Sequence, residues 1–360
     1  MKTKAAVLVE QNKPLEIMEL NLPVKIEVGQ VLVQIYAAGI CGAQIGEITG
    51  AKGPDLYLPH LLGHEGAGIV RACGAGVRNL KFGDHVVAHW RKGNGIESAT
   101  PIYWDEKDKR SIGAGPVATF TKYAVVSENR LTKISDDVPF DIACLFGCAV
   151  TTGLGIVQNE AKIQMGESIV VAGCGGVGLN VIQGARMRGA YPIIGLDRSA
   201  YALERAYDIG ASHVFSLNDP KTELYGEGNL LQTITKLVST DGISIGPNVF
   251  VDCTGDVDIA AFGWGIINPG GRCILAGQPR YDTSFIVDHM RKNYIGKTLL
   301  DSQGGLTNPT VDIPRYAKLW QASQLDLGNQ ITHRFQLEDI NGAIALMRSG
   351  KTGRCILEMG

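Results

Sequence analysis

Apolar residues alternate with polar ones in short stretches over residues 1–150. In residues 30–36, Val31, Val33 and Ile35 share one face, which is typical of a half-buried β-strand. Residues 68–73 and 83–89 have the same character and are bounded by glycine turns. The pattern predicts a β-rich domain that closes with an apolar, helical segment over residues 140–150. A charged run at residues 105–110 predicts a solvated loop or lobe.

The middle of the chain has continuous apolar runs instead of alternating ones. Residues 167–172 and 192–196 are short and rich in β-branched residues, and residues 248–252 and 272–277 repeat the pattern. Such runs are typical of parallel strands that are buried on both faces. Together with the helical stretches between them, they predict an α/β, doubly wound sheet over residues 151–300.

The segment after residue 300 has two helix-like pieces. In the second, Ile340, Ala343, Ile344 and Met347 fall at i, i+3, i+4 and i+7, which favours a stripe that packs into a core. The segment is too short for a core of its own, so we expect it to pack on the first domain. The predicted domains are therefore residues 1–150 with 301–360, and residues 151–300.

A glycine-rich loop joins the first predicted strand of the doubly wound sheet to its first helix. The loop has the form G-x-G-x-x-G, and Asp197 follows the next strand at the distance that a Rossmann dinucleotide-binding unit requires. Backbone N–H groups at the start of the helix would bind the pyrophosphate, and Asp197 would bind the ribose hydroxyls. Asp197 favours NAD over NADP, although Arg198 beside it leaves NADP open. The loop residues are Gly173, Cys174, Gly175, Gly176, Val177 and Gly178.

Composition limits the class of partner. The 360 residues carry a formal net charge of −2, with 34 basic and 36 acidic residues, which disfavours nucleic acid and anionic membranes as partners. No apolar run approaches the ~20 residues of a membrane span, and the N-terminal apolar run is too short for a signal peptide. We therefore expect a cytoplasmic protein that acts on a small molecule. Its eight cysteines are widely spaced, which favours reduced thiols or metal ligands over disulfides.

Four residues are candidate metal ligands: Cys41, His64, Glu65 and Cys148. Thiolate, imidazole and carboxylate groups are those that Zn²⁺ accepts, and a catalytic zinc keeps one position open. Because these residues are scattered along the chain, their spacing alone does not distinguish a metal site from packed thiols.

The order of motifs resembles that of the zinc-dependent alcohol dehydrogenases of the medium-chain dehydrogenase/reductase superfamily. The resemblance runs through nearly the whole chain and includes its closing segment, residues 348–354. It rests on these stretches: residues 39–41, 63–68, 77–84, 147–153 and 173–178, with Asp197.

The resemblance implies a GroES-like catalytic domain combined with a Rossmann cofactor domain. It assigns Cys41, His64 and Cys148 as the ligands of one catalytic zinc, with Glu65 as a neighbouring carboxylate that takes part in ligand exchange. It also places Trp90 in the substrate pocket, Thr152 at the nicotinamide and Arg354 at the cofactor phosphates. Family members are commonly dimers or tetramers, so we expect a homodimer or homotetramer.

Two departures from the family pattern stand out. Residues 85–143 contain no cysteine, so we expect no structural zinc of the four-cysteine type. Family members usually carry Ser or Thr two residues after the first zinc cysteine, where the hydroxyl relays the substrate proton. This chain has Ala43 at that place, so the proton must leave through water, a substrate hydroxyl, Gln44 or Thr151.

The main hypothesis is an enzyme that transfers hydride between an alcohol and NAD. Arg91 and Lys92, beside the expected pocket, suggest a polyol, a sugar derivative or an anionic alcohol as substrate, although these side chains could equally serve to solvate the lobe. A non-catalytic NAD-binding protein and a zinc-independent quinone or enoyl reductase are the alternatives. The intact set of metal-ligating residues disfavours both.

Overall fold

A computed structural model describes residues 1–219, 223–224, 229–239, 245–284, 287 and 295–360. The chain forms two compact units. The first consists of Met1–Thr151 and Thr307–Gly360, and the second of Thr152–Leu306.

The N-terminal part of the first unit consists mainly of β-strands. The strands are β1 (Lys2–Leu8), β2 (Glu16–Asn21), β3 (Gln30–Gly39), β4 (His60–Leu61), β5 (Glu65–Cys73), β6 (His85–His89), β7 (Ile102–Asp105), β8 (Arg110–Gly113), β9 (Tyr123–Ser127) and β10 (Leu131–Lys133). The helices are α1 (Gly42–Ile48), α2 (Phe140–Ala143) and α3 (Ala149–Gly155). The predicted β-rich domain with a helical end at residues 140–150 is thus observed.

The second unit contains a parallel sheet. Its elements are β11 (Ile169–Ala172), α4 (Gly176–Met187), β12 (Ile193–Asp197), α5 (Ala200–Ile209), β13 (His213–Ser216), α6 (Leu230–Val238), β14 (Val249–Asp252), α7 (Val257–Ile266), β15 (Arg272–Leu275) and β16 (Thr298–Asp301). The strand order is β13-β12-β11-β14-β15-β16, with every neighbouring pair parallel. The order reverses between β11 and β14, where sheets of this type bind their ligands.

Helices cover both faces of this sheet. Leu179, Ile182 and Ala206, from α4 and α5, belong to one buried apolar cluster. Ile234 of α6 and Phe262 of α7 belong to another. The predicted doubly wound α/β sheet is therefore confirmed.

The C-terminal part returns to the first unit. Its elements are α8 (Pro309–Gln321), β17 (Ile331–Gln336), α9 (Ile340–Arg348) and β18 (Arg354–Glu358). Ile340, Ala343 and Ile344 of α9 are buried in the core of this unit, as their spacing predicts. β18 pairs antiparallel with β3, and β17 pairs parallel with β18.

Two sheets organise the first unit. β1, β2, β7, β8 and β4 close into a barrel, and the other sheet has the order β10-β6-β5-β3-β18-β17, with β9 also paired to β3. The charged run, predicted to be a solvated loop or lobe, spans the β7–β8 hairpin: residues 106–109 form its exposed turn, while Asp105 ends β7 and Arg110 begins β8. The two strands were not predicted, and their Tyr103 and Ile112 are fully buried in an apolar cluster.

Ion pairs hold the segment that follows β6. The Glu97 carboxylate accepts from Lys92 Nζ at 2.8 Å, Arg130 Nη2 at 2.8 Å and Asn129 Nδ2 at 3.0 Å. The hydrogen bond from Lys92, followed by those from Arg130 and Asn129, lowers the pKa of Glu97 to about 2. Glu128 accepts from the backbone N–H groups of Arg78, Asn79 and Ile96. Polar contacts of this chain thus fix the segment to the rest of its unit.

Two further expectations bear on the environment of the chain. No single helix in the described ranges has both the length and the apolar composition to cross a membrane. One bent pair of helices, Phe140–Gly147 with Ala149–Glu160, has that length and composition when the two are counted together. All eight cysteines are free thiols.

Candidate functional site

Three predicted ligands come together in the first unit. Cys41 is the residue before α1, with Ile40 between it and the end of β3, and His64 directly precedes β5. Cys148 lies between the 3₁₀ turn Cys144–Gly147 and α3. One ligand atom from each of the three lies within 4.8 Å of the other two, and His64 Nε2 is 3.2 Å from Cys148 Sγ.

Close backbone packing brings Cys148 to the other two ligands. A Cβ atom on Gly147 would lie 2.4 Å from the carbonyl oxygen of Ala88 in β6 and 2.8 Å from Cα of Glu65 in β5. Real Cβ atoms do not approach other atoms so closely, so only glycine lets this segment pack on the two strands. Gly147 thereby positions Cys148, which is 84 residues away from His64 in sequence.

The electrostatics of the cluster favour a bound cation. A hydrogen bond from Cys148, opposed by burial and assisted by His64, lowers the pKa of Cys41 well below its ordinary value. Burial acts to lower the pKa of His64, but the hydrogen bond and the charge of Cys41 outweigh it and raise that pKa. A half-buried thiolate beside an imidazole and a second, buried thiol is a donor set that fits zinc and leaves a fourth position open.

Glu65 lies beside these ligands but outside the three-residue cluster. Its side chain is completely buried, and Oε1 accepts a hydrogen bond from Arg354 Nη2, while Oε2 has no hydrogen-bond partner. Burial raises the pKa of Glu65, opposed by the charge of Arg354. A buried carboxylate oxygen without a hydrogen bond suits a neighbouring cation, so the donor set and its surroundings both fit a zinc ion.

Arg354 pairs with a residue that the resemblance did not connect to it. It is the first residue of β18, its side chain is 6% exposed, and its guanidinium pairs with Glu65 in place of pointing into solvent. The pairing of β18 with β3 brings Arg354 to Glu65. In this structure Arg354 neutralises the buried Glu65 carboxylate, and its expected role at the cofactor phosphates stays a prediction.

Gln44 is a site residue that sequence reasoning named only as a proton route. Its side chain is 1% exposed, Oε1 accepts from the N–H of Cys41 at 3.1 Å, and Nε2 contacts His64 Nδ1. One amide thus joins two of the three ligands. The spacing Cys-x-x-Gln at a helix start matches a capping box, which is the signal that could have revealed it.

The glycine-rich loop has the geometry of a phosphate cradle. A Cβ on Gly178 would lie 2.0 Å from the carbonyl oxygen of Gly173, so this glycine permits the close packing of α4 on the loop. A Cβ on Gly175 would meet no atom within 4 Å, so the loop is open there for a ligand. α4 begins at Gly176 without a side-chain cap, and Val177 lies in its first turn. These free N–H groups beside an open loop fit a pyrophosphate.

Asp197 ends β12 next to the same loop. Its Oδ2 accepts from the N–H of Cys174 at 2.7 Å, and its Oδ1 accepts from the N–H of Ser199 at 2.8 Å. The carboxylate is therefore fixed in orientation. Arg198 follows it on the surface and pairs with Asp256. Thr152, the first residue of the second unit, is buried in α3.

The expected substrate-pocket residues lie in the first unit. Ala43 is the second residue of α1 and is half-buried, so no hydroxyl stands at that place. Trp90 directly follows β6 and is also half-buried. Arg91 donates to the carbonyl oxygen of Thr307 at 2.9 Å, and Lys92 pairs with Glu97. Both cations therefore have partners within the protein.

Comparisons with known proteins agree with this arrangement. Residues 27–136 match the family described as alcohol dehydrogenase GroES-like domain, and residues 176–312 match the family described as zinc-binding dehydrogenase.

Relatives are similar over their whole length. The chain is 32% identical to an S-(hydroxymethyl)glutathione dehydrogenase of Paracoccus denitrificans, over 99% of this chain and 100% of that protein. It is 32% identical to an alcohol dehydrogenase class-P of Arabidopsis thaliana, over 100% and 98%. The crystal structure of a benzyl alcohol dehydrogenase from Acinetobacter calcoaceticus superposes with a TM-score of 0.86 at 26% identity, covering 100% of both chains.

Proposed function

Since the chain belongs to the zinc-dependent alcohol dehydrogenases of the medium-chain dehydrogenase/reductase superfamily, we propose that it interconverts an alcohol and its aldehyde or ketone, with NAD as hydride carrier. The observation that carries the proposal is the convergence of two sulfur atoms and one imidazole within 4.8 Å in a cluster of two half-buried residues and one buried residue. We assign Cys41, His64 and Cys148 as the protein ligands of one zinc ion. Bound zinc supplies the Lewis acidity that lowers the pKa of an alcohol, and the nicotinamide supplies the hydride acceptor.

The residues around the ligands neutralise a buried charge and fix the orientation of a ligand side chain. Gln44 orients His64, and Arg354 neutralises Glu65 so that this carboxylate stays beside the metal ligands. In the cofactor unit, residues 173–178 bind the pyrophosphate and Asp197 binds the ribose hydroxyls. We accordingly assign residues 1–150 with 301–360 as the catalytic domain and residues 151–300 as the NAD-binding domain.

The proton leaves without a hydroxyl at position 43. The Thr151 hydroxyl donates to the carbonyl oxygen of Cys148 at 3.1 Å and is buried, and the Gln44 amide is held between Cys41 and His64. An amide is also a poor proton carrier at neutral pH. These contacts favour water or a second hydroxyl of the substrate as the exit.

A neutral alcohol is the substrate class that fits best. The idea of an anionic substrate rested on Arg91 and Lys92, and both are engaged with groups of the protein. One relative is named for S-(hydroxymethyl)glutathione, which itself carries carboxylates, and a solved structure is named for benzyl alcohol, which is neutral. The engagement of Arg91 and Lys92 therefore decides the choice, and it gives an aromatic or simple primary alcohol more support than a phosphorylated sugar.

The test combines metal analysis with turnover. We expect the purified protein to contain one zinc per chain and to form NADH with benzyl alcohol or ethanol. Cys148→Ser should lose both the zinc and the activity, whereas the matched variant Cys73→Ser, at an exposed free cysteine, should keep both.

The alternatives give different results. A non-catalytic NAD-binding protein would bind NADH but turn over no alcohol, aldehyde or ketone. A zinc-independent reductase would reduce quinones or enoyl substrates at a rate that survives Cys148→Ser. Either result would overturn the proposal.

We also propose that the protein is a cytoplasmic homodimer or homotetramer. Eight free thiols suit a reducing compartment. Light scattering of the purified protein measures the number of subunits, and cell fractionation measures the location.

A further inference from the structure

A cavity lined by both acidic and basic side chains lies next to the end of β12. The cavity has a volume of about 470 Å³. Asp197 and Asp256 line it, and among the described residues the basic side chains that line it are Arg198 and Arg280. Asp197 lies where the cofactor ribose would bind, so the balance of charge here bears on whether a 2′-phosphate is accepted.

Asp256 holds the basic residue nearest to Asp197. Its Oδ2 accepts from Arg198 Nη2 at 2.9 Å, and its Oδ1 accepts from the N–H of Asp258 in the first turn of α7. The N–H of Asp256 donates to Thr254 Oγ1 at 3.0 Å. The start of α7 thus fixes the Asp256 carboxylate, and Arg198 pairs with it.

Arginine next to the ribose-binding acid is the residue type that binds a 2′-phosphate, because its guanidinium donates two parallel hydrogen bonds. In this chain the guanidinium already pairs with a carboxylate. Arg198 is 66% exposed on its side chain and Asp256 is 31% exposed, so the pair itself is weak. The carboxylate nevertheless acts twice against a phosphate, since it occupies Arg198 and also repels the anion.

We infer that Asp256 is a specificity-determining residue that prevents Arg198 from binding a 2′-phosphate and thereby makes the enzyme prefer NAD over NADP. The inference rests on the proposed function in taking residues 173–178 and Asp197 as the cofactor site. Asp197 repels a 2′-phosphate as well, so Asp256 accounts for a part of the preference that can be removed separately. Arg280 lies in the same cavity, with Asp282 at 3.7 Å.

The test measures affinity for the zinc-loaded enzyme, not turnover. Dissociation constants for NADH and NADPH come from fluorescence titration, and those for AMP and adenosine 2′,5′-bisphosphate from calorimetry. Asp256→Asn keeps a good helix N-cap while it removes the charge. We expect it to tighten NADPH and the bisphosphate by about tenfold and to leave NADH and AMP within about twofold, as one charge-assisted hydrogen bond predicts.

Two controls separate the mechanism from a general effect of charge. Asp258→Asn removes an exposed carboxylate two residues further on that does not pair with Arg198, and we expect it to change NADPH affinity by less than about twofold. Arg198→Ala combined with Asp256→Asn should abolish the gain.

Three results would overturn the inference. They are an unchanged NADPH affinity in Asp256→Asn, an equal gain in Asp258→Asn, and a gain that persists without Arg198, which would assign the phosphate to Arg280. Because the readout is binding, the experiment decides the role of Asp256 even if no alcohol is oxidised.

Discussion

Gln44 is a single buried side chain that links two metal ligands. Its amide nitrogen contacts His64 Nδ1, and His64 Nε2 faces Cys148 Sγ at 3.2 Å. His64 would hold zinc with one ring nitrogen, and the Gln44 amide would hydrogen-bond to the other. Residues in this position fix the orientation of the imidazole.

We therefore predict that Gln44→Ala weakens zinc binding by about 10- to 100-fold, the usual effect of losing such a partner. Gln44→Glu should bind zinc at least as tightly as the unmodified protein, because a carboxylate accepts hydrogen bonds from both Cys41 and His64. Competition with a chromophoric chelator measures the affinity. The control is Gln330→Ala, at an equally buried glutamine of the same unit that donates to the Asp326 carbonyl oxygen. Undiminished zinc affinity in Gln44→Ala would refute the role.

For single residues, the sequence identified the metal ligands better than it identified the side chains that contact those ligands. Cys41, His64 and Cys148 could be named because their residue types and their order resemble a known family. The pairing of Arg354 with Glu65 spans 289 residues, and no local pattern indicates it. The strand pairing of β18 with β3 creates that contact, so it could be found only after the sheet was known.

The strand–loop–helix unit around residues 173–178 is the element that the sequence predicted best. Its glycines have different physical roles, because Gly178 is packed against Gly173 whereas Gly175 faces open space. Substitution at the two positions should therefore affect different properties of the protein.

We predict that Gly178→Ala lowers the free energy of unfolding by about 2 kcal/mol or more, since the new Cβ would overlap a backbone oxygen. Gly175→Ala should change stability by less than about 0.5 kcal/mol, because its φ of −82° suits any residue. It should still weaken NADH binding by about tenfold or more, since the Cβ blocks approach to the backbone. Denaturant unfolding and fluorescence titration measure the two effects. Equal loss of stability in both variants would contradict this division.

Other elements escaped prediction for a common reason. β17 and β18 contain short runs such as residues 354–358, whose burial depends on a partner strand more than 300 residues earlier. The β7–β8 hairpin is short, and its charged turn dominates the local pattern. Strand propensity reflects packing against neighbours, so short strands with distant partners give a weak local signal.

The whole molecule consists of two units, one of which is discontinuous in sequence. The change from alternating to continuous apolar runs near residue 150 indicates where one ends and the other begins. The sequence indicates less clearly that the chain returns to the first unit near residue 307, because the sequences of α8 and α9 would suit helices of either unit. What assigns them is the burial of Ile340 and Leu337 against strands of the first unit, which depends on the complete fold.

The stability of the whole chain should depend on pH through His89, in the core of the first unit. His89 is 1% exposed; its Nδ1 donates to the Arg91 carbonyl oxygen at 2.7 Å, and its Nε2 accepts from Thr132 Oγ1 at 2.9 Å. Burial lowers the pKa of His89 from 6.5 to about 4. The unfolded state therefore binds more protons than the folded state between these pH values, and acidification favours unfolding.

We predict that the free energy of unfolding is constant with respect to His89 above about pH 6.5 and falls by roughly 3 kcal/mol as the pH approaches 4. Folding lowers the pKa of Glu97 from 4.5 to about 2, so its stabilising contribution is lost from about pH 4.5 downwards and overlaps only the lower end of the His89 range. Urea unfolding of metal-free protein at several pH values measures the dependence without a contribution from zinc release. His89→Gln should be somewhat less stable at pH 8 yet lose most of this slope, whereas His333→Gln, at a partly exposed histidine of β17, should keep it. A slope that is the same in His89→Gln and the unmodified protein would assign the pH dependence to other groups.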